Sequence, residues 1–86
     1  MSKEIIYFTS QNCSICKTQQ QVLKEFEKLP GISIQNILIT TAFDLALLYG
    51  VKSAPTIILL KDKKALRVLP GFQTADKIIK YINELF

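Results

Sequence analysis

Cys13 and Cys16 are the only cysteines in 86 residues, and they stand three positions apart in Ser10-Gln11-Asn12-Cys13-Ser14-Ile15-Cys16-Lys17. A thiolate, not a thiol, attacks a disulfide, so chemistry here needs one sulfur whose pKa is lowered from about 8.5. The stretch joins an apolar strand to a long amphipathic segment, which puts Cys13 just before, or in, the first turn of a helix. Unpaired backbone N–H groups and the positive end of the helix dipole favour an anion at that point. Lys17, four residues on, falls on the same face and adds to the effect, and no acidic residue in the stretch opposes it.

Cys16 lies one helical turn deeper. Positions i and i+3 at a helix start are about 5–6 Å apart, close to disulfide reach. The pair can therefore close without refolding. Cys13 would attack a substrate disulfide, a mixed disulfide would form, and Cys16 would displace the product. The more exposed sulfur is expected to be the nucleophile and the more buried one the resolver. Three other readings compete. A structural disulfide over so short a loop would constrain little of the unfolded chain. A zinc site normally takes four ligands, and the chain has no histidine and no second cysteine pair. Two buried cysteines acting as small hydrophobes fit poorly with polar flanks on both sides. A redox dithiol is the preferred reading, with no bound cofactor beyond its own Cys13–Cys16 disulfide.

The elements that must position this pair follow from apolar pattern and punctuation. Glu4 to Thr9, rich in isoleucine and aromatics, reads as a buried strand. A helix is expected from Ser14 to Leu29, with Ile15, Val22, Phe26 and Leu29 as its apolar stripe, and Gln19, Gln20, Lys24, Glu27 and Lys28 outside it. Pro30-Gly31 ends it. Ile32 to Ile39 reads as a strand. Thr40 or Thr41 is expected to cap a short helix from Ala42 to Tyr49, apolar nearly all round and stopped by Gly50. Val51 to Pro55 is a loop feeding the strand Thr56 to Leu60. Asp62-Lys63-Lys64 is a polar turn, and Ala65 to Leu69 is the returning strand. After Pro70-Gly71, Thr74 caps a last helix whose buried stripe is Ile78, Ile79, Ile82, Leu85 and Phe86. The order is βαβα followed by ββα, and a right-handed crossover puts the first two strands in parallel.

Composition bounds the rest. Eighty-six residues, 49% hydrophobic and 21% charged, suit one domain over 1–86 with one small core and exclude a disordered chain. The apolar runs Ile5-Ile6-Tyr7-Phe8 and Thr56-Ile57-Ile58-Leu59-Leu60 fall far short of the roughly 20 residues that span a bilayer. The start also leads into too short an apolar run for a secretory signal. A cytoplasmic protein with no membrane association is the expectation. The net charge of +4 is spread over several elements, with one cluster at Lys61, Lys63, Lys64 and Arg67. Nucleic acid would require basic residues interleaved with exposed aromatics, and the aromatics here mostly occupy core-like positions.

These residues resemble the thioredoxin and glutaredoxin superfamily over nearly the whole chain. The matching stretches are Phe8 to Lys17 with its cysteine pair, Ser53-Ala54-Pro55-Thr56 before a strand, and Gly71 before the last helix. The likeness is nearest to short glutaredoxin-like thioredoxins. It implies a thioredoxin fold, an α/β four-stranded mixed sheet in the order 2-1-3-4, with the first and third helices on one face and the second on the other. It further implies a cis peptide bond before Pro55. Ala54 would then offer its backbone to an extended substrate segment, and Gly71 would let another chain approach closely. On the residues alone, Pro55 could simply start an edge strand and Gly71 could be a plain turn breaker. Phe72 could line the rim of the site or belong to the core.

The departures are as informative. Ser14-Ile15 stands between the cysteines where ordinary thioredoxins have Gly-Pro and ordinary glutaredoxins Pro-Tyr, and in the family these positions tune thiol pKa. Tyr7 stands where thioredoxins carry a buried aspartate, so the internal carboxylate that would deprotonate Cys16 is absent. A single Gly71 followed by Phe72 looks more like the thioredoxin arrangement than the Gly-Gly of glutaredoxins. The resemblance thus implies a monomeric thiol–disulfide oxidoreductase acting on disulfide-containing proteins and recharged by a thioredoxin reductase-like flavoenzyme. A glutaredoxin recharged by glutathione, which Lys17 and Lys52 could attract, is the alternative. A non-catalytic redox-sensing or metal-carrying module is a third reading.

Overall fold

Seven residues, Lys3–Thr9, form β1, the strand around which the sheet is assembled in the computed structural model, which describes residues 2–86. It pairs in parallel with β2 (Ile32–Leu38) on one side and antiparallel with β3 (Thr56–Lys61) on the other. β3 pairs antiparallel with β4 (Lys64–Pro70), so the order across the sheet is β2-β1-β3-β4, as expected. β1 and β3 are central and buried on both faces, which explains their near-continuous runs of isoleucine, leucine and aromatics. The turn between β3 and β4 places Asp62 and Lys63 at positive φ (52° and 68°), the left-handed pair that suits a two-residue hairpin.

Alternation along β1 divides the core in two. Ile5 and Tyr7 point to one face with Ile57, Leu59 and Leu69, and are covered by α1 (Ser14–Lys24) and α3 (Ala75–Leu85). Ile6 and Phe8 point to the other with Ile37, Ile58 and Leu60, and are covered by α2 (Phe43–Leu48). The two-sided arrangement matches the expected one.

Three local expectations need correction. The first helix does not stay α-helical to Leu29: it ends at Lys24 and tightens into a 3-10 turn over Glu25–Lys28. Leu29, next to Pro30, is pushed to extended geometry (φ −75°, ψ 125°), and the preceding carbonyls, short of donors, are met by closer bonds. Its buried face is only partly the one expected: Phe26 is buried and Val22 packs against the core, as expected, but the rest of the stripe differs. Cys16, Gln19, Leu23 and Phe26 turn inward, at helical spacing, while Ile15 is 48% exposed and Leu29 is also exposed. Finally, neither Thr40 nor Thr41 caps α2. Ala42 holds the cap position without a side-chain bond, and the Thr41 hydroxyl instead donates to the Leu38 carbonyl at 2.9 Å, closing a 3-10 turn over Ile39–Thr41. At α3 the capping expectation holds, since Thr74 Oγ1 accepts from the Lys77 N–H, but Ile79 of the expected buried stripe is exposed.

Candidate active site

The strand β1 runs directly into the site. Asn12, at φ 54°, turns the chain sharply after Thr9, and Cys13 takes extended geometry (φ −111°, ψ 100°) as the N-cap of α1. Its sulfur plays the capping role usually taken by an oxygen and accepts the Cys16 N–H at 3.1 Å. No acidic residue occupies the first turn. A negative sulfur at this point therefore gains an aimed donor and the helix dipole together.

Cys13 and Cys16 are joined by a disulfide, their Cα atoms 5.2 Å apart. Cys13 is half-buried, whereas Cys16 is 3% exposed and belongs to the α1–α3 core. Cys13 is thus the outer sulfur and Cys16 the inner one. Ser14, Ile15 and Lys17 are exposed around them. Lys17 meets Cys13 through its backbone, donating its N–H to the Cys13 carbonyl at 3.4 Å.

The loop before β3 and the loop after β4 come together. The Ala54–Pro55 peptide bond is cis. Ala54 packs against the same core cluster as Cys13, and Pro55 is buried. Thr56 anchors the loop by donating its hydroxyl to the Ser53 carbonyl at 2.7 Å. Gly71 donates its N–H to the Pro55 carbonyl at 2.9 Å, which ties the two loops to each other. Its φ of +81° calls for glycine, while a Cβ there would meet nothing within 4 Å. The demand on this residue within the chain is conformational, not steric. Phe72 beside it is half-buried.

Two features escaped the sequence reading. Tyr7, noted only as lacking a carboxylate, is fully buried beneath α1 and donates its hydroxyl to the Cys16 carbonyl. Burial pushes its phenol up to about 12, so at neutral pH it is a donor and not a base. It anchors the cysteine turn to β1. The second is Gln19, placed outside the apolar stripe yet wholly buried. Its amide donates to the Gln73 carbonyl at 3.0 Å and accepts the Gln73 N–H at 2.6 Å. The signal was present: Gln19 falls between Cys16 and Leu23 on one helical face.

Elsewhere, Glu25, Phe26, Leu29, Pro30, Ile32, Ile79, Ile82 and Asn83 line a groove of about 450 Å³, and neither cysteine borders it. Among the described residues, no three or more Cys, His, Asp or Glu side chains gather as a metal-binding group, and no helix is long and apolar enough to cross a membrane.

With this geometry in view, the family described as "TraF: F plasmid transfer operon protein" matches residues 2–83. A thioredoxin of Chlamydia caviae is 33% identical over 81 residues, 93% of this chain and 79% of that protein. Among solved structures, the thioredoxin-2 described as a component of malaria parasite protein secretion machinery superposes with a TM-score of 0.86 at 29% identity, over 96% of this chain and 82% of that one. A mutant thioredoxin from Halobacterium salinarum gives a TM-score of 0.90 at 22% identity, over 96% and 74%, a likeness of fold.

Proposed function

The chain belongs to the thioredoxin superfamily as a dithiol oxidoreductase, and on that premise we propose that it reduces disulfides of other proteins, with Cys13 attacking and Cys16 resolving. The observation that carries the division of labour is the capping geometry. Cys13 is the outer sulfur, and it already accepts the N–H that would stabilise its anion. Cys16 sits one turn deeper in the core.

In the reduced protein, the Cys13 thiolate attacks one sulfur of a substrate disulfide. The other substrate sulfur leaves as a thiolate and takes up a proton. The Cys16 thiol then gives its proton to water or to a departing thiolate, since Tyr7 offers no carboxylate and its phenol stays protonated. Its sulfur attacks Cys13, breaking the mixed disulfide. The second substrate sulfur leaves as a thiolate, and the Cys13–Cys16 disulfide of this structure is formed. Two electrons have passed to the substrate. A reductase must return them.

The backbone of Ala54 would pair with an extended substrate strand beside Cys13, with Pro55 and Gly71 shaping the edge it meets. This is supported by the hydrogen bond that joins the two loops and by the shared packing of Ala54 and Cys13. Ser14, Ile15 and Lys17, exposed on the first turn, would tune the sulfur. The reading takes residues 1–86 as a single, monomeric domain without a bound cofactor. It also takes the setting as cytoplasmic, supported by the lack of any cysteine outside the pair that would need an oxidising compartment. A thioredoxin reductase-like flavoenzyme is the proposed donor, in keeping with Phe72 following a single Gly71.

Insulin reduction driven by NADPH tests this, with either thioredoxin reductase or glutathione plus its reductase as the electron source. Faster turnover with thioredoxin reductase is expected. Turnover with glutathione alone would reassign the donor, and none with either source would contradict a protein disulfide reductase.

A further inference from the structure

A glutamine side chain with no exposed surface, one turn along α1 from Cys16, lies in a face otherwise made of Cys16, Leu23 and Phe26. Burying an amide is costly unless all its groups are paired. Gln19 meets this by forming two bonds to one residue, accepting the Gln73 N–H and donating to the Gln73 carbonyl. An amide placed this way works like one rung of a β-ladder, and reversing it would set N–H against N–H. The Gln73 side chain in turn donates to the Pro70 carbonyl at 3.1 Å and to the Gly71 carbonyl at 3.4 Å. Gly71 reaches on to the Pro55 carbonyl at 2.9 Å. A continuous set of hydrogen bonds thus runs from the helix carrying both cysteines, through residues 70–73, to the loop before β3.

We propose that Gln19 is a positioning residue for disulfide reduction: its buried amide holds residues 70–73, and through them the Pro55 loop, in register with Cys13, so that a polypeptide disulfide arrives aligned for attack. The inference rests on the proposed docking of substrate against Ala54, Pro55 and Gly71. It adds the element that keeps this docking edge at a set distance from the sulfur. The two partners differ in what they hold. Gln19 binds the backbone of residue 73, whereas the Gln73 side chain sets only the curl of residues 70–71.

This separates a large substrate, which must touch both the sulfur and the loops, from a small one that needs only the sulfur. The test compares Gln19→Leu and Gln73→Met with wild type on insulin, on 5,5′-dithiobis(2-nitrobenzoate), and in alkylation of Cys13 by iodoacetamide. For Gln19→Leu, the KM for insulin should rise about tenfold with kcat within about twofold, while the small-disulfide and alkylation rates stay at wild-type values. Gln73→Met, which keeps the bonds to Gln19, should raise the insulin KM about threefold. Equal losses on both disulfides, or an unchanged insulin KM in folded Gln19→Leu, would overturn the inference. If Gln19→Leu does not fold, Gln19→Met, which keeps the length of the side chain and removes both bonds to residue 73, decides, and an unchanged insulin KM overturns it. Wild-type protein that reduces the small disulfide but not insulin would instead overturn the protein-substrate reading, and the inference with it.

Discussion

The two faces of the sheet are built to different tolerances. On the α1–α3 face, polar groups are buried among apolar ones and every bond is directional: Tyr7 to the Cys16 carbonyl, Gln19 to both backbone groups of Gln73. On the opposite face, α2 is only six residues long and buries Ala46 alone among its side chains. Phe43, Leu47 and Leu48 of that helix stay exposed, Leu48 by 74%. Aliphatic packing is non-directional and covers a sheet without fixing positions closely. Hydrogen bonds inside a low-dielectric core do fix them. The buried bonds of Tyr7 and Gln19 lie on the face that carries the cysteine pair.

Substitutions on the two faces should therefore differ in kind. The largest effect is expected at the sulfur itself. Cys13→Ser should lower insulin reduction by about 10³-fold or more while leaving the thermal melting temperature near that of the reduced wild type. Substantial surviving turnover would remove Cys13 from the mechanism.

Tyr7→Phe comes next, with a loss of about 1 kcal/mol in urea unfolding at pH 7 from the missing bond to Cys16. It should also change the response to alkali. The folded protein keeps the phenolic proton up to about 12, whereas an unfolded tyrosine releases it near 10.0. Between those values the native state binds more protons than the unfolded one, so stability falls as pH rises. Tyr7→Phe should lack that part of the fall. Parallel curves for variant and wild type would show that the phenol is not sequestered.

The smallest effect belongs to the other face. Leu48→Gln should change unfolding free energy by no more than about 0.5 kcal/mol and leave kcat/KM for insulin unaltered. A large loss of activity would mean that the α2 face takes part in function and would erase the contrast.

Most of the fold was legible because it is written in local signals. The continuous apolar runs of β1 and β3, the Pro30-Gly31 and Pro70-Gly71 breaks, and the Thr74 cap all act over a few residues. The cysteine pair was legible for the same reason, being a short spacing at a helix start. What the sequence concealed depends on partners far along the chain. Gln19 and Gln73 are 54 positions apart, and a glutamine on an amphipathic helix ordinarily faces water. Choosing Ile15, Val22, Phe26 and Leu29 as the buried stripe followed hydrophobicity. Phe26 and Val22 do meet the core, but Cys16, Gln19 and Leu23 are buried beside them in place of Ile15 and Leu29, with Gln19 paired to Gln73. The missing cap of α2 has a local origin instead. Thr41 had a nearer carbonyl, that of Leu38, to bind.

The central claim is that the outer sulfur, aimed at by the Cys16 N–H, is the reactive one. The direct measurement is the pH dependence of iodoacetamide alkylation of the freshly reduced protein, with the modified residue located by mass spectrometry. Modification of Cys13 first, with a midpoint below the ordinary thiol value of about 8.5, is the predicted result. Modification of Cys16 first, or a Cys13 midpoint at or above that value, would contradict it.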